Sequence, residues 1–248
     1  MIVFLTGASA GFGVAIARAF VKGGHRVVAT ARRHDRLLAL GEELGSALLP
    51  IELDVRDRAA VEAVVPMLPA EFAAIDVLIN NAGLALGLEP AQRADLADWQ
   101  AMIDTNCSGL VQVTRALLPG MVERNRGHVF NLGSVAGRWP YAGGNVYGAT
   151  KAFVRQFSLN LRADLAGTPI RVTDIEPGLC GGTEFSNVRF HGDDEKAAKI
   201  YENVQPLTAE DIAETIYWIA TRPQHININT IELMPVAQSF AGLSVYRG

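Results

Sequence analysis

The chain has 248 residues, of which 49% are hydrophobic and 19% charged, and its formal net charge is −4. This composition is typical of a globular protein with a sizeable core. The slightly acidic balance, without long runs of Lys or Arg, argues against proteins that bind nucleic acid or an anionic membrane.

Membrane and redox classes are also disfavoured. No apolar run approaches the roughly 20 residues that span a bilayer, and the N-terminal run Ile2–Thr6 lacks the basic start of a signal peptide. Two cysteines, Cys107 and Cys180, are too few for a disulfide framework and have no metal-ligand spacing. We therefore expect a cytoplasmic protein with reduced thiols, no membrane contact and no metal site.

The first predicted strand, Ile2–Thr6, runs into a turn that reads Gly7-Ala8-Ser9-Ala10-Gly11-Phe12-Gly13, and an amphipathic helix follows. Strand, glycine turn and helix in this order are the context of a dinucleotide-binding turn. Glycines let the backbone approach a pyrophosphate, whose charge the helix N-terminus favours. The spacing differs from the commoner Gly-x-Gly-x-x-Gly, and three glycines could also form only a tight turn.

The second predicted strand, Arg26–Thr30, is followed by Arg32 and Arg33 and by no acidic residue. At this position an acid would bind the ribose 2′-hydroxyl of NAD, whereas arginine accommodates the 2′-phosphate of NADP. The pair therefore favours NADP. Two solvated arginines at the start of a helix are the alternative.

Two further strands end in residues suited to a ligand. Leu48–Leu53 is followed by Asp54-Val55, whose carboxylate could accept a hydrogen bond from an adenine amino group or could cap the next helix. Val77–Asn80 runs into Asn81-Ala82-Gly83, where small residues leave room near the backbone. Asn81 could instead only fix the turn.

A long helical pattern covers residues 97–122 and contains Asn106 and Gly109. Asn and Gly are unfavourable inside a helix, so the pattern predicts a kink there. Asn106 could simply be a satisfied buried amide.

The apolar strand His128–Leu132 precedes the stretch from Gly133 to Lys151, and a helix follows. Tyr147 and Lys151 are four residues apart, so on a helix they share a face. A cation beside a phenol lowers its pKa, and Ser134 at the strand end can return toward the pair. Because ligands of open α/β sheets bind at the carboxyl ends of strands, these residues predict a proton-transfer site.

After the strand Ile170–Glu176 and Pro177-Gly178, residues 179–206 show no clear periodicity. Such a long loop is usually a lid or a binding loop. A helix over 208–221, with Thr208 as its N-cap, and the strand Thr230–Met234 complete the pattern. With no repeat or linker, one domain over residues 1–248, with a substrate loop at about 179–206, is the prediction.

At Gly7-x-x-x-Gly11-x-Gly13, Asn80-Asn81-Ala82-Gly83, Asn106, Ser134 and Tyr147-x-x-x-Lys151, the whole chain resembles the short-chain dehydrogenase/reductase family. Three longer runs look like its bacterial NADP-dependent 3-hydroxy acid dehydrogenases: 103–106, 139–147 and 181–190. The resemblance implies a Rossmann-type, doubly wound sheet of seven parallel strands with helices on both faces. It also implies a homotetramer in which the helices over 97–122 and after Tyr147 meet across a subunit interface.

For the reaction, the resemblance implies hydride exchange between NADP and small 3-hydroxy acids such as serine, L-allo-threonine or 3-hydroxypropionate. Tyr147 would be the general base or acid, and Lys151 would lower its pKa and hold the nicotinamide ribose. Ser134 would bind the reacting oxygen and Asn106 a water in a proton relay. The expected cofactor contacts are Gly7, Ala8, Ser9, Ala10, Gly11, Phe12, Gly13, Arg32, Arg33, Asp54, Val55, Asn81, Ala82, Gly83, Tyr147, Lys151, Pro177, Gly178, Gly181, Thr183 and Phe185.

The substrate contacts are predicted to be Ser134, Tyr147 and Arg189. A 3-hydroxy acid has a carboxylate that needs a cation, and Arg189 in the loop is the first candidate, with Arg138 as the other. Either could be a surface arginine. The alternatives to this function are a broad carbonyl reductase, a non-catalytic NADP sensor and a structural interaction module.

Overall fold

In a computed structural model, residues 1–240 of the chain are described. The chain alternates strands and helices, as the sequence pattern predicts. The seven strands are β1 (Ile2–Thr6), β2 (Arg26–Ala31), β3 (Leu48–Glu52), β4 (Val77–Asn80), β5 (His128–Leu132), β6 (Arg171–Pro177) and β7 (Thr230–Leu233). The predicted strands agree with these bounds to within one residue at each end. Residues 241–248 of the predicted domain lie outside the described part.

All seven strands are parallel and form one sheet in the order β3-β2-β1-β4-β5-β6-β7. The order reverses between β1 and β4, and ligands of open α/β sheets bind at such a reversal, outside the carboxyl ends of the strands. The predicted Rossmann-type fold is confirmed.

Ten α-helices are found in residues 1–240. They are α1 (Gly11–Lys22), α2 (His34–Leu44), α3 (Arg58–Val64), α4 (Ala70–Ala73), α5 (Leu96–Ile103), α6 (Leu110–Glu123), α7 (Asn145–Asp164), α8 (Phe185–Arg189), α9 (Asp194–Lys199) and α10 (Ala209–Ala220). One buried apolar cluster packs α1, α2 and α10 on one face of the sheet. A second packs α3, α6 and α7 on the other face. Within the described residues no helix is long and apolar enough to cross a bilayer.

The helical pattern over residues 97–122 is interrupted where Asn106 and Gly109 predict a kink. Residues Asp104–Gly109 form a π-helical turn between α5 and α6. Gly109 lets Val55 pack closely on this turn, because a Cβ there would lie 2.6 Å from a Val55 side-chain carbon. π turns of this kind are frequent at functional sites.

The helix near the C-terminus begins as predicted. The Thr208 hydroxyl accepts a hydrogen bond from the Asp211 backbone N–H at 3.1 Å, and the Asp211 carboxylate accepts one from the Thr208 N–H at 2.8 Å. This reciprocal capping box satisfies two of the free N–H groups at the start of α10.

Residues 179–206, predicted to be a long loop, include two short helices. The segment contains α8 and α9, which have five and six residues. Helices of this length complete less than two turns, so a 3.6-residue periodicity cannot show in their sequences. We call residues 179–206 the lid segment.

Candidate active site

One cavity of about 610 Å³ runs along the carboxyl edge of the sheet. Arg32 and Asp54, which follow β2 and β3, line one end of the cavity. Tyr147 and Arg189 line the other end. The lid segment supplies part of the wall between them. This volume lies within the range of ligand and cofactor sites.

The glycine turn between β1 and α1 is closely packed. Gly7 and Gly11 have φ angles of 68° and 49°, which side chains rarely tolerate. A Cβ on Gly7 would lie 2.9 Å from the Asn81 side-chain nitrogen, and one on Gly13 would overlap the Gly7 carbonyl. The turn therefore exposes backbone N–H groups beside the start of α1, and a pyrophosphate fits there.

The two arginines after β2 have different environments. Arg32 lines the cavity and has no ion-pair partner among residues 1–240. The Arg33 guanidinium bonds the Ser9 hydroxyl at 3.2 Å and the Glu184 carboxylate at 2.7 Å. Glu184 also accepts from Arg36 at 2.6 Å, so this carboxylate of the lid segment is bound by two arginines beside the glycine turn.

The structure decides one alternative for Asp54. Asp57, not Asp54, caps α3, accepting from the Ala60 N–H at 3.1 Å, so a capping role for Asp54 is wrong. The Asp54 carboxylate lines the cavity and pairs with Arg56 at 2.6 Å. A hydrogen bond from Arg56 lowers the pKa of Asp54, which keeps it an ionised acceptor.

Asn81 fixes the turn after β4 and also lines the cavity. Its amide donates to the carbonyl oxygens of Thr6 at 2.9 Å and Gly7 at 3.1 Å. The Thr6 hydroxyl, in turn, accepts from the N–H groups of Asn81 and Ala82. These bonds tie the turn after β4 to the end of β1.

Ser134, Tyr147 and Lys151 converge at the end of β5, as predicted. Two hydrogen bonds hold the Ser134 side chain in this position. Its Oγ accepts from the Ala136 N–H at 3.1 Å and donates to the Pro177 carbonyl at 3.4 Å. Lys151 Nζ donates to the Leu132 carbonyl at 2.6 Å and lies 5.9 Å from the centre of the Tyr147 ring. All three side chains line the cavity and are buried.

That Lys151 lowers the pKa of Tyr147 stays a prediction. Burial raises the pKa of Tyr147 to about 12, while the nearby Ser134 hydroxyl and the positive charge of Arg189 lower it. The Lys151 nitrogen donates to the Leu132 carbonyl, and burial lowers the pKa of Lys151 to about 8.

Asn106 lies in the π-helical turn, behind the cavity wall. Its Oδ1 accepts from the Leu84 N–H at 2.9 Å, and its Nδ2 donates to the Leu84 carbonyl at 2.8 Å and to the Thr150 hydroxyl at 3.0 Å. The amide is therefore satisfied on both atoms. It braces the segment after Gly83 against α7.

Arg189 lies directly beside Tyr147. Its guanidinium carbon is 5.0 Å from the Tyr147 ring centre and 5.2 Å from that of Phe185, and its Nη2 donates to the Tyr141 hydroxyl at 2.9 Å. Its buried Nε has no hydrogen-bond partner in the described structure. A donor of this kind on the wall of a cavity suits an anionic ligand group.

Arg138, the other candidate for a substrate carboxylate, does not line the cavity. Its Nε is 2.5 Å from Glu176 and 3.6 Å from Glu232. Because two protein carboxylates already neutralise its charge, the assignment of Arg138 to the substrate is wrong.

Most of the predicted cofactor residues line the cavity, but three do not. Ala8 is fully buried, Gly13 packs on the Gly7 carbonyl, and Gly181 packs on Pro206. The sequence interpretation also missed several lining residues: Trp139, Tyr141, Glu184, Met234, Gln238 and Phe240. The aromatic residues after Ser134 were the one feature of the sequence that could have indicated some of these lining residues.

The family model for short chain dehydrogenases matches residues 1–194. The NADP-dependent 3-hydroxy acid dehydrogenase YdfG of Salmonella typhimurium is 69% identical over 247 residues, covering 100% of both chains. The serine 3-dehydrogenase of Agrobacterium fabrum is 56% identical over 245 residues, covering 99% of this chain and 98% of its own. The closed form of a serine dehydrogenase complexed with NADP⁺ superposes with a TM-score of 0.99 at 65% identity, and 100% of each chain is covered.

Proposed function

The chain belongs to the short-chain dehydrogenase family, and from this premise we propose that it is an NADP-dependent dehydrogenase of small 3-hydroxy acids. The observation that carries the proposal is the position of Arg189 beside the Tyr147 ring, where it brings a cation and a buried donor that has no hydrogen-bond partner within residues 1–240. A 3-hydroxy acid has its carboxylate two carbons from the reacting hydroxyl. One phenol and one adjacent guanidinium match these two groups.

NADP is the cofactor of this proposal. Two features support NADP binding. Packing around the glycine turn leaves no room for side chains there, and Arg32 has no ion pair in the described part of the chain. Arg32 would hold the 2′-phosphate and the start of α1 the pyrophosphate. Asp54 would accept from the adenine amino group.

When bound, the nicotinamide supplies the hydride exchange at the third carbon of the substrate. The protein manages the proton. With its pKa raised to about 12, the Tyr147 phenol carries its proton at neutral pH, as an acid for reduction must. In oxidation the same oxygen takes the substrate proton, and the Arg189 charge favours its phenolate.

The other side chains position the reactants. The Ser134 hydroxyl would hydrogen-bond the reacting oxygen as charge develops there. Lys151 would hold the nicotinamide ribose. Both polar atoms of the Asn106 side chain already have hydrogen-bond partners. In a proton relay, the main chain of Asn106 would therefore bind the water.

The lid segment would close the site over the substrate. Thr183 already contacts the glycine turn, since a Cβ on Gly11 would lie 3.1 Å from its side chain. Phe185 packs edge-on against Tyr147 with ring centres 5.8 Å apart. Closure of this kind would exclude water during hydride transfer.

We also propose one cytoplasmic domain over residues 1–248 that forms a homotetramer through α5 and α7. The support is a set of exposed apolar side chains on these two helices: Leu96, Ile103, Phe153 and Leu159. Light scattering of the purified protein tests this, with Phe153→Glu expected to lower the mass and Met67→Glu, an exposed apolar residue after α3, as control. A monomer in the unmodified protein would refute the tetramer.

The function is tested by following NADP⁺ reduction with a panel of substrates. Serine, the threonine and allo-threonine stereoisomers, 3-hydroxypropionate, 3-hydroxyisobutyrate and uncharged alcohols should be compared, with NAD⁺ as the cofactor control. We expect turnover of the acids with NADP⁺ and little with the alcohols. Equal kcat/KM for acids and alcohols would favour the second candidate, a broad carbonyl reductase.

A further inference from the structure

Strand β6 brings two acidic side chains to the inner face of the catalytic helix. Asp174 and Glu176 are two residues apart, so they share the face of the sheet that packs against α7. They are 1% and 0% exposed. Among the described residues, the Asp174 oxygens have neither a hydrogen-bond nor an ion-pair partner, and the Glu176 oxygens have ion pairs with arginines but no hydrogen bond. Buried carboxyl groups of this kind require an explanation.

The two carboxyl groups differ in their neighbours. Glu176 faces two arginines, Arg138 at 2.5 Å and Arg155 at 3.3 Å. Asp174 has no ion pair within residues 1–240. A buried carboxyl group without a cation keeps its proton, whereas one between two guanidinium groups ionises. The geometry therefore fits a protonated Asp174 that donates its hydrogen to an ionised Glu176.

Lys151 lies at the same place. It is one helical turn before Arg155 on α7, and its ammonium bonds the Leu132 carbonyl. The next residue, Gly133, leaves its side-chain space to Asp174, because a Cβ on Gly133 would overlap Asp174 Oδ1. The Asp174 carboxyl and the Lys151 ammonium therefore meet at the Leu132–Gly133 peptide unit.

We propose that Asp174 and Glu176 share one proton behind the active site and that Asp174 is a positioning residue which, on losing this proton, keeps Lys151 charged. The inference rests on the proposed function for the role of Lys151. The charged and titratable groups around the pair are Lys151 and Arg155 from α7, Arg138 after β5 and Glu232 from β7, with the Cys107 thiol near Lys151.

The pKa values agree with this arrangement. Burial, followed by the Glu176 charge, raises the pKa of Asp174 to about 8. Burial lowers the pKa of Lys151 to about 8, and the Asp174 charge opposes that effect. As the pH rises, Asp174 therefore releases its proton to solvent, and its new negative charge stabilises the ammonium. Without this charge Lys151 would lose its proton at lower pH.

The shared proton can be observed without turnover. A protonated carboxylic acid has an infrared carbonyl band that a carboxylate lacks. We expect such a band in the NADP⁺-bound enzyme at pH 6.5, its loss on alkaline titration, and its absence in Asp174→Asn. In Glu176→Gln the band should vanish at lower pH, because the charge that holds the proton on Asp174 is gone. A band that persists in Asp174→Asn would overturn the proposal, whether or not the enzyme is active.

The effect on Lys151 is read from the pH dependence of kcat. Asn resembles a protonated Asp but cannot ionise, so Asp174→Asn should move the alkaline limb of the profile down by roughly one pH unit. Glu176→Gln should not lower it. The matched control is Thr173→Val, an equally buried change on the opposite face of β6, which should leave the profile unchanged.

A merely structural role of Asp174 would lower kcat equally at all pH values, and that result would refute the link to Lys151. Should Asp174→Asn fail to fold, the infrared titration of the unmodified enzyme decides the first half of the proposal by itself. Absence of turnover of every hydroxy acid by the unmodified protein would refute the proposed function instead. The infrared evidence for the shared proton would remain valid in that case.

Discussion

The Arg189 guanidinium lies 5.0 Å from the ring centre of Tyr147 and contacts the face of the residue proposed to move the proton. The same guanidinium is hydrogen-bonded to the Tyr141 hydroxyl at 2.9 Å, which fixes its direction. An arginine of the lid segment therefore contacts the residue proposed to transfer the proton. Its position depends on α8, in which it is the last residue.

Arg189→Ala should therefore raise KM for 3-hydroxy acids far more than for uncharged alcohols. A hydrogen bond to a charged group contributes about 1.5–3 kcal/mol, which corresponds to a change of roughly 10- to 150-fold. Steady-state kinetics on 3-hydroxypropionate and 1-propanol provide the comparison. Arg58→Ala, which removes an exposed guanidinium on α3, is the matched control. Equal effects on acid and alcohol would exclude Arg189 from binding the carboxylate.

Tyr147→Phe should lower kcat by between about 10²- and 10⁴-fold, because it removes the general acid and base. NADPH binding, followed by its fluorescence, should change little, since the ring that packs on Phe185 remains. Tyr217→Phe on α10 removes a hydroxyl far from the cavity and serves as the control. Near-normal turnover in Tyr147→Phe would mean that another group transfers the proton.

Glu184→Gln should increase the preference for NADP⁺ over NAD⁺. The Glu184 carboxylate neutralises Arg33, which is one of the two arginines predicted at the 2′-phosphate. Exposed ion pairs contribute about 0–1 kcal/mol, so we expect the ratio of the two dissociation constants to change by up to about fivefold. Any loosening of the lid affects both cofactors and cancels in this ratio.

The control for this experiment is Glu43→Gln, whose carboxylate pairs with Arg18 on the outer surface. Titration calorimetry with each dinucleotide gives the two constants for each variant. An unchanged ratio in Glu184→Gln would mean that Arg33 does not contact the phosphate.

His128 should make the protein less stable below about pH 6.5. Burial and then the Arg171 charge hold the pKa of His128 well below 6.5, so the folded protein does not take up the proton that the unfolded chain binds. The unfolded state therefore binds more protons, and the free energy of unfolding falls by about 1.4 kcal/mol for each pH unit below that value.

His128→Gln should flatten this acid limb. Glutamine does not titrate and can still reach the Thr173 hydroxyl, which His128 contacts at 2.8 Å. Urea unfolding at one protein concentration, at several pH values between 5 and 8, measures the difference. Parallel curves for the variant and the unmodified protein would contradict the assignment.

The fold could be predicted well because its determinants are local. Buried parallel strands have continuous apolar runs, and glycines mark the turns that end them. Even the π-helical turn was indicated, since Asn106 and Gly109 are both poor residues for a helix interior. The convergence of Ser134, Tyr147 and Lys151 followed from the rule that parallel strands end at one edge.

What escaped prediction depends on contacts between distant segments. Glu184 and Arg33 are 151 residues apart, and no local pattern records that they meet. The same holds for Arg138, whose charge is neutralised by Glu176 from another strand. For the pair Asp174 and Glu176 a signal existed, because two acids alternate in an otherwise buried strand. Their effect on Lys151 required the packing of α7.

The π-helical turn also limits where a chimera between this chain and a relative can be joined. A π turn contains one residue more than an α-helical path over the same rise. Counting heptads without a break from α5 into α6 therefore assigns the wrong faces beyond Gly109. A chimera joined within Asp104–Gly109 must keep this extra residue. Removing it would straighten the helix and swing Asn106 by about 100° away from Leu84 and Thr150.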